Sequence, residues 1–339
     1  MIRRRSLVVA ASVALALAAL WAFAMWGPES FRSAYQSFLD GSVSTPYAFG
    51  TTLRQMVPIL LTGVAASLTF RGGLFDVGQP GYLVAGALAA AVTGSALPGP
   101  PVLVAVVSLL VGALAGTVWA AGVAWTTSLT GVAIVVVSLI AANLADGLAK
   151  LITTRVVQDP AVKSVVETRA VPEDAMLPIL QSESQLRAGI VVALVVTAAV
   201  TWWSFRTTAG HRLHMFGANP EFAALAGTPP DAYRRRLTMT GGALSGLAGG
   251  LAVFDVYGRY VDGTLGGASS PAWLGVTVAI MTPRAILLLP VAFLLAMMQT
   301  GFEGTQRDLG IGGSLGMLIQ ALLLVLAALA RRTPAAVGA

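Results

Sequence analysis

Residues 70–82 read Phe-Arg-Gly-Gly-Leu-Phe-Asp-Val-Gly-Gln-Pro-Gly-Tyr and separate two long apolar stretches of the chain. Broken backbone of this kind cannot face lipid, because amides without partners are costly in hydrocarbon. The segment either lies inside protein, where it presents helix ends to a solute, or forms a tight turn in which Asp76 caps the next helix. Pro80 and Gly81 favour the first interpretation, because they carry the break several residues into the following apolar stretch.

The composition makes lipid the solvent for most of the surface. Of the 339 residues 56% are hydrophobic and 11% are charged, and the chain contains no cysteine. A soluble domain carries about 25% charged residues, so a soluble globule of this size is excluded. The lack of cysteine excludes disulfides, thiol catalysis and cysteine-ligated metal clusters. The net charge of +6 fits basic cytoplasmic loops of a membrane protein rather than nucleic-acid binding.

Apolar stretches of roughly 20 residues can cross the hydrocarbon core of a bilayer. The sequence predicts an all-α, polytopic membrane helical bundle with about ten transmembrane helices, a broken-helix segment near 71–82, and a single transmembrane domain over 1–339. The predicted spans are 7–26, 47–70, 74–93, 102–125, 131–152, 188–205, 237–257, 269–281, 285–301 and 310–330. We interpret the first of them as an uncleaved span, because it is longer than a signal-peptide core.

Three basic clusters predict the orientation of these spans. Arg3–Arg5, Arg234–Arg236 and Arg331–Arg332 sit directly against span ends, where the positive-inside rule has most force. They place both termini and the loop 206–236 in the cytoplasm. The segments 27–46, 94–101, 153–187, 258–268 and 302–309 then lie outside, and 153–187 is the one long soluble stretch among them.

The cytoplasmic loop contains the pattern of a short isolated helix. Asn219 is a favourable N-cap, Pro220 suits the first turn, and Glu221 complements the helix dipole. Gly227 is a natural stop signal. Such a helix is too short to be stable alone and needs to pack on a partner surface. Phe222 and Leu225, three residues apart, can form the apolar face that meets this partner. The alternative is an interfacial helix that rests on the protein's own bundle.

Motifs of the common nucleotide and hydrolase sites do not occur. Neither of the two lysines, Lys150 and Lys163, follows the glycine pattern of a phosphate loop, so the chain is not expected to carry its own ATP site or to be an enzyme. His211 and His214 lie three apart without further ligands nearby. We therefore predict no metal site and no cofactor bound by this chain.

Several segments together resemble one family in the family's own order. They are Leu53–Gly63, Gly73–Tyr82, His211–Gly227, Leu244–Gly250 and Gly275–Gly301. The chain is similar to the inner-membrane permease subunits of ATP-binding-cassette (ABC) importers, and most to the nucleoside and basic-membrane-protein branch within the larger group of ribose and branched-chain amino-acid permeases. It departs from the family's polar positions, because Asp76, Pro80 and Tyr82 replace the usual Asn, Glu and Gln.

The resemblance implies a multi-pass permease of the bacterial inner membrane that moves a small polar solute, a nucleoside in the first instance, inward. ATP and Mg²⁺ would act on a separate cytosolic ABC ATPase. The implied partners are that ATPase, a second permease in a heterodimer, an extracytoplasmic solute-binding lipoprotein and membrane lipid, but no nucleic acid. The alternatives are a permease for ribose-like sugars or branched-chain amino acids, an ATP-independent secondary transporter or channel, and a membrane scaffold.

Two sets of candidate residues follow. Asn143 and Asp146 lie three apart on the fifth span, and charges within a span are functional candidates. The predicted substrate pathway is Phe75, Asp76, Gln79, Tyr82, Asn143 and Asp146. The resemblance implies that the ATPase couples to Gly217, Asn219, Pro220, Glu221, Phe222, Leu225 and Gly227.

Overall fold

A computed structural model describes residues 28–162, 164–225, 227, 229–267, 270–282 and 285–310, with side chains from Arg32 onward. The first predicted span and nearly all of the tenth lie outside these residues. The α-helices are α1 (Pro28–Ser42), α2 (Pro46–Arg71), α3 (Gln79–Ala96), α4 (Pro101–Thr130), α5 (Ile134–Ile152), α6 (Gly189–Arg206), α7 (Thr208–Ala218), α8 (Pro220–Leu225), α9 (Pro230–Leu251), α10 (Pro271–Met281) and α11 (Leu288–Leu309).

Short irregular elements extend or connect these helices. Wider π-helical turns continue α5 over Thr153–Val157 and α9 over Ala252–Tyr257. Single 3₁₀ turns occur at Glu173–Ala175 and Ala285–Leu287. Strands β1 (Ile179–Gln181) and β2 (Leu186–Arg187) form an antiparallel hairpin within the long loop.

The chain is a multi-pass membrane protein. In the described part of the chain, six helical segments are long and apolar enough to cross a membrane: Pro46–Arg71, Pro101–Thr130, Ile134–Val157, Gly189–Arg206, Pro230–Tyr257 and Ala285–Leu309. The third predicted span corresponds to α3, whose 18 residues are mostly buried. The eighth corresponds to α10, which is shorter than the other apolar helices. The predicted all-α, polytopic fold is confirmed.

The structure corrects several predicted boundaries. The third span begins at Gln79 rather than at residue 74, because residues 74–78 are not helical. The seventh begins at Pro230 rather than at 237, since Pro230 can start a helix and polar residues continue it beyond the apolar stretch. Segments 27–46 and 302–309 were predicted as connections, but α1 and the end of α11 occupy them. The predicted boundaries follow the ends of apolar stretches, whereas the helices continue beyond these ends through polar residues.

The chain divides into two compact units, and the prediction of one transmembrane domain over 1–339 stays a prediction. One unit comprises Met1–Thr52 with Leu294–Ala339, and the other comprises Leu53–Phe293. In the first unit, Phe38 and Phe302 meet edge to face at a centroid distance of 5.4 Å. The Thr52 and Thr300 hydroxyls of the same unit are 2.7 Å apart.

In the second unit, α3 is the central helix and packs against α4, α5, α9 and α10. Small residues allow these backbones to approach closely. A β-carbon on Gly86 of α3 would overlap the main chain of Gly246 in α9, and one on Gly246 would lie 3.0 Å from the Cα of Gly116 in α4. The glycines of the Leu244–Gly250 motif therefore hold the three helices at backbone contact.

Candidate functional site

The break between α2 and α3 is a turn enclosed by other helices. Gly73 has a φ of +76°, a conformation that favours glycine. The amide of Leu74 donates to the carbonyl of Thr69 over 2.9 Å, which closes the turn. A β-carbon on Gly72 would overlap the side chain of Leu237 and lie 2.8 Å from that of Leu213. Gly72, Leu74 and residues 76–78 of the break are thus buried, while Gly73 and Phe75 are exposed.

Asp76 and Tyr82 form a hydrogen-bonded pair at the start of α3. Both are fully buried, and the Tyr82 hydroxyl donates to the carboxylate at 3.1 and 3.2 Å. The same carboxylate accepts from the amide of Gly78 over 2.9 Å. The carboxylate thus closes a turn just before the helix, whose N-cap residue, Gly78, has no side-chain cap. The pathway role of both residues stays a prediction.

Gln79 bridges α3 to α9. It is fully buried, and its Oε1 accepts a hydrogen bond of 2.6 Å from the Ser245 hydroxyl. Its Nε2 is enclosed with no hydrogen-bond partner among the described residues. Phe75 differs from these three, because it is half-exposed and stacks on Phe70 with ring centroids 4.7 Å apart.

Asn143 and Asp146 share a cavity of about 420 Å³ between α3, α5 and α10. Pro80 of the break lines the cavity together with Trp273 and Thr277 of α10. The two α10 residues are four apart, so they lie on one helical face. The structure therefore joins two of the predicted pathway residues to the break, whereas Phe75, Asp76, Gln79 and Tyr82 do not line this cavity.

The Asp146 carboxylate lies at the rim of this cavity, beneath a glycine turn. Its Oδ1 is enclosed without a hydrogen-bond partner among the described residues, and a β-carbon on Gly266 would overlap it. One turn further along α5, Lys150 pairs with Asp262 at 3.3 Å. The Asp146 oxygen that lacks a hydrogen-bond partner in the described part of the chain is therefore one helical turn away from the positive charge of Lys150.

The long loop 153–187 is ordered at the same end of the bundle. Thr168 and Tyr260 exchange two hydrogen bonds: the Thr168 amide donates to the Tyr260 carbonyl at 3.0 Å, and the Tyr260 amide donates to the Thr168 hydroxyl at 3.1 Å. The Val171 amide donates to Gly258 over 2.8 Å, and Arg259 pairs with Glu167. The loop therefore ties the end of α5 to the segment that joins α9 to α10.

The predicted short helix is present as α8 at the opposite end. The Asn219 Oδ1 accepts from the amide of Phe222 at 3.0 Å, which confirms the predicted N-cap. Gly227 has a φ of +85° and follows the helix as a stop. Ala223 is buried against the protein, while Phe222 is 57% and Leu225 is 89% exposed. Two large apolar side chains are therefore presented on a protruding turn that also carries Pro220 and the exposed Glu221.

Helix α7 connects α8 to the break. A β-carbon on Gly217, near the end of α7, would overlap the carbonyl oxygen of Arg71. Leu213 of α7 packs in one buried cluster with Leu68, Leu74 and Leu237. The rings of Phe216 and Tyr233 lie 4.3 Å apart. Helix α7 is therefore close-packed against the break and against the start of α9.

His214 of α7 lies beside an aromatic ring and near positive charge. His214 contacts Phe205 with ring centroids 5.3 Å apart. Burial, and next the positive charge of Arg71, lower the pKa of His214 below its ordinary value. Among the described residues no group of three metal-ligating side chains occurs. His214 is therefore protonated less readily than a free histidine.

Sequence reasoning missed three residues of interest. Trp273 and Thr277 line the cavity, and their four-residue spacing in an apolar span was a signal that could have placed them on one face. Arg54 donates to the carbonyls of Asp255 and Val256 at 2.6–3.1 Å. These carbonyls belong to the π-helical turn. The sequence contains no periodic pattern that indicates this turn.

These features define a class of protein. A multi-pass bundle with an interrupted helix that borders a cavity containing a few polar side chains has the architecture of a membrane permease. The chain belongs to the family described as branched-chain amino acid transport system / permease component, which matches residues 48–328.

Three curated relatives narrow the class to permeases of ABC transporters. The chain is 30% identical over 263 residues to the guanosine ABC transporter permease protein NupP of Bacillus subtilis (strain 168), covering 75% of each chain. It is 25% identical to the glucose ABC transporter permease protein TsgB13 of Haloferax volcanii, over 86% of this chain and 79% of the relative. It is 22% identical to the nucleoside ABC transporter permease protein NupB of Lactococcus lactis subsp. cremoris, over 81% and 77%. The predicted resemblance to ABC importer permeases is confirmed.

Proposed function

We propose that this chain is the translocation subunit of an ABC importer for nucleosides. Two of its relatives are named as guanosine and nucleoside permeases. The observation that carries the proposal is the cavity of Asn143, Asp146, Trp273 and Thr277. Its volume of about 420 Å³ lies within the usual range of small-molecule sites, ~300–1,000 Å³.

The chemistry of the cavity suits a nucleoside. Trp273 offers a π-face on which a planar base can stack, and Asp146 offers a carboxylate that accepts from ribose hydroxyls. Asn143 and Thr277 supply both donors and acceptors. These groups recognise a neutral polar molecule with one flat and one hydroxylated end. They contain no arginine that would hold a phosphate, so a nucleotide fits this site less well than a nucleoside.

The proposed topology places α7 and α8 in the cytoplasm and the loop 153–187 outside. The first turns of α9 carry Arg234, Arg235 and Arg236, and basic residues beside span ends favour the cytoplasmic side. Both termini are then cytoplasmic, in the bacterial inner membrane. The cavity opens towards the outer half of the bundle, because Asp146 and Gly266 border the ordered outer loop.

The exposed pair Phe222 and Leu225 supports a docking role for α8. Large apolar side chains at the centre of a small surface act as anchors in partner pockets. A cytosolic ABC ATPase, with ATP and Mg²⁺ on its own subunit, would receive α8 in a groove. Closure of the ATPase pair would pull on α7, and Gly217 would pass this displacement to Arg71 and the break. Rocking of α2 and α3 would then switch access to the cavity.

The remaining partners follow from the same assignment. The resemblance to the nucleoside branch implies a second, different permease that completes the pathway as a heterodimer. An extracytoplasmic binding lipoprotein would deliver the nucleoside to the ordered face of the loop 153–187.

Uptake of radiolabelled guanosine by cells that express the importer tests the proposal. Asp146→Asn and Trp273→Ala are expected to raise the KM for uptake, and Trp273→Phe should retain most of the affinity because it keeps an aromatic face. Glu173→Gln is the matched control, since Glu173 is an exposed acid of the outer loop. Unchanged KM in both cavity variants, with normal amounts of protein in the membrane, would contradict the assignment of this cavity.

Two other functions make different predictions in the same assay. A sugar permease is favoured by the relative named as a glucose permease, and excess glucose or ribose would then compete with guanosine for uptake. An ATP-independent transporter or channel would keep its uptake when the phosphate-loop lysine of the partner ATPase is replaced. We expect competition by nucleosides alone and complete loss of uptake with the inactive ATPase.

A further inference from the structure

We propose that the α8 end of this chain binds one anionic phospholipid, with its phosphate at Arg234 and Arg235 and an acyl chain along the groove between α4 and α5. Two adjoining hollows of the surface carry the inference. One is basic and lies where the helices end, and the other is apolar and runs along their flanks. The proposal does not depend on the transported solute.

The basic hollow is a cavity of about 370 Å³ between the end of α4, the start of α5 and the start of α9. Arg234 and Arg235 line it together with Thr127 and Ser128. Both arginines are exposed, and none of the ion pairs formed by the described residues involves either of them. Asp231 also lines the cavity, which leaves these three side chains with a net positive charge.

The start of α5 adds further donors. Ala133 is its N-cap, and no side chain caps the helix there. Ala133 and Ile134 line the same cavity, so the amides of the first turn lie at its wall. Free amides and the positive end of the helix dipole favour an anion. They supplement the two guanidiniums, which carry the argument.

The apolar hollow continues from the basic one. It is a groove of about 450 Å³ along α4 and α5. Val132 lines both the groove and the basic cavity. From there the groove passes Gly122 and Val118 on α4, and Ile140 and Leu144 on α5. A ligand that fills both hollows must join an anionic head to a long apolar tail, which is the chemistry of an anionic phospholipid.

Charge complementarity selects this occupant. Basic pockets between transmembrane helices at the cytoplasmic face bind acidic lipid headgroups, and each arginine near the surface contributes about fivefold in affinity. A zwitterionic lipid would fill the groove equally well and gain less from the arginines. A soluble phosphate would use the arginines and gain nothing from the groove. The two hollows can therefore be tested separately.

The first arm of the test measures lipid retained by the full-length chain, purified in neutral detergent, by native mass spectrometry. Dioleoyl phosphatidylglycerol is compared with dioleoyl phosphatidylcholine. We expect preferential retention of phosphatidylglycerol, and a roughly 20- to 30-fold loss of this preference in the R234Q/R235Q double variant. Arg236→Gln is the matched control, because Arg236 is exposed in the same cluster and does not line the cavity. Asp231→Asn should increase the preference.

The second arm places a larger side chain in the groove. A β-carbon on Gly122 would meet no atom within 4 Å, so the side chain of Gly122→Leu begins in open space. We expect it to reduce the retention of phosphatidylglycerol. Gly147→Leu is its control, since Gly147 of α5 also has open space around it and does not line the groove.

Four outcomes would overturn the proposal. They are equal retention of the two lipids, an equal effect of Arg236→Gln, displacement of phosphatidylglycerol by millimolar inorganic phosphate with no effect of Gly122→Leu, and loss of the lipid when the second permease is bound. The third outcome would identify a soluble-anion site. The fourth would identify the groove as a protein interface.

Discussion

The main chains of Gly217 and Arg71 are in direct contact. A β-carbon on Gly217 would overlap the Arg71 carbonyl oxygen, and one on Gly73 would lie 3.3 Å from the Cα of Gly217. This contact joins α7, which directly precedes α8, to the turn between α2 and α3. Only a glycine permits this contact at position 217, and the contact links the two features that sequence reasoning had singled out separately.

Gly217→Ala is expected to separate α7 from the break. Overpacking of a close contact costs typically 1–3 kcal/mol, and here the backbone itself must move. We expect reduced uptake and a reduced effect of the solute on ATP hydrolysis, with ATPase subunits still bound. Gly147→Ala, where the added carbon meets nothing within 4 Å, should behave as the parent protein. Full coupling in Gly217→Ala would refute the proposed transmission.

Asn219→Ala is expected to weaken docking of the ATPase. Loss of a helix N-cap costs about 0.5–2 kcal/mol, and a helix of six residues has little else to hold it. Asn219→Asp retains an acceptor for the Phe222 amide and should restore binding. Measurement of the ATPase affinity in detergent distinguishes the two variants. Equal affinities for Ala and Asp would mean that the cap has no part in docking.

Leu225→Ser is expected to reduce ATPase affinity while the permease folds normally, because Leu225 is 89% exposed. Anchor residues of an interface contribute at least about 1–2 kcal/mol, which corresponds to roughly a five- to thirtyfold change in affinity. Val156→Ser provides a control, since Val156 is also exposed but lies at the opposite end of the bundle. If both substitutions weakened binding equally, α8 would not be the docking element.

Tyr82→Phe tests whether the buried pair braces the break or handles solute. Removal of the hydroxyl takes one hydrogen bond from the buried Asp76, and a buried group that loses its partner costs about 1–3 kcal/mol. We expect a lower midpoint of thermal unfolding in detergent and an unchanged KM for uptake. A raised KM with unchanged thermal stability would instead support the predicted pathway role of Tyr82. Asp76→Asn in a double-mutant cycle with Tyr82→Phe would measure the coupling of the pair.

Arg54→Met is expected to destabilise the π-helical turn that continues α9. The guanidinium makes three hydrogen bonds to the carbonyls of Asp255 and Val256, and hydrogen bonds to charged groups contribute about 1.5–3 kcal/mol each. Hydrogen exchange by mass spectrometry should show faster exchange near residues 252–257. Arg32→Met, at an exposed arginine of the first unit, should leave this region unchanged. Equal protection of residues 252–257 in both variants would exclude this role.

The architecture could be predicted from the sequence because the lipid bilayer limits which structures can cross it. Long apolar stretches became helices, and the Gly-Pro cluster at 72–81 became a break. Asn219 and Gly227 bounded α8 as their local chemistry predicts. These features depend on contacts between residues close in the chain, and one sequence contains that information.

The candidate site depended on contacts that sequence cannot supply. Asp76 was assigned to the pathway because it lies in the break of residues 70–82, and the sequence alone did not show that its carboxylate accepts from Tyr82 and Gly78 inside the protein. Conversely, Trp273 was not selected, although it lines the cavity with Asp146. Which polar residues face a cavity is decided by the packing of α3, α5 and α10, whose pairing spans more than a hundred residues of sequence.

Main-chain hydrogen bonds provide much of the attachment of the loop 153–187 to residues 258–262. The amides of Thr168, Val171 and Asp262 all donate to carbonyls across this junction. Such a junction is largely indifferent to the side chains that it carries. The side chains on this surface can therefore change while the main-chain connection between α5 and α9 keeps its register. In evolutionary terms, the side chains at this junction are free to diverge, because the main chain holds the two segments together.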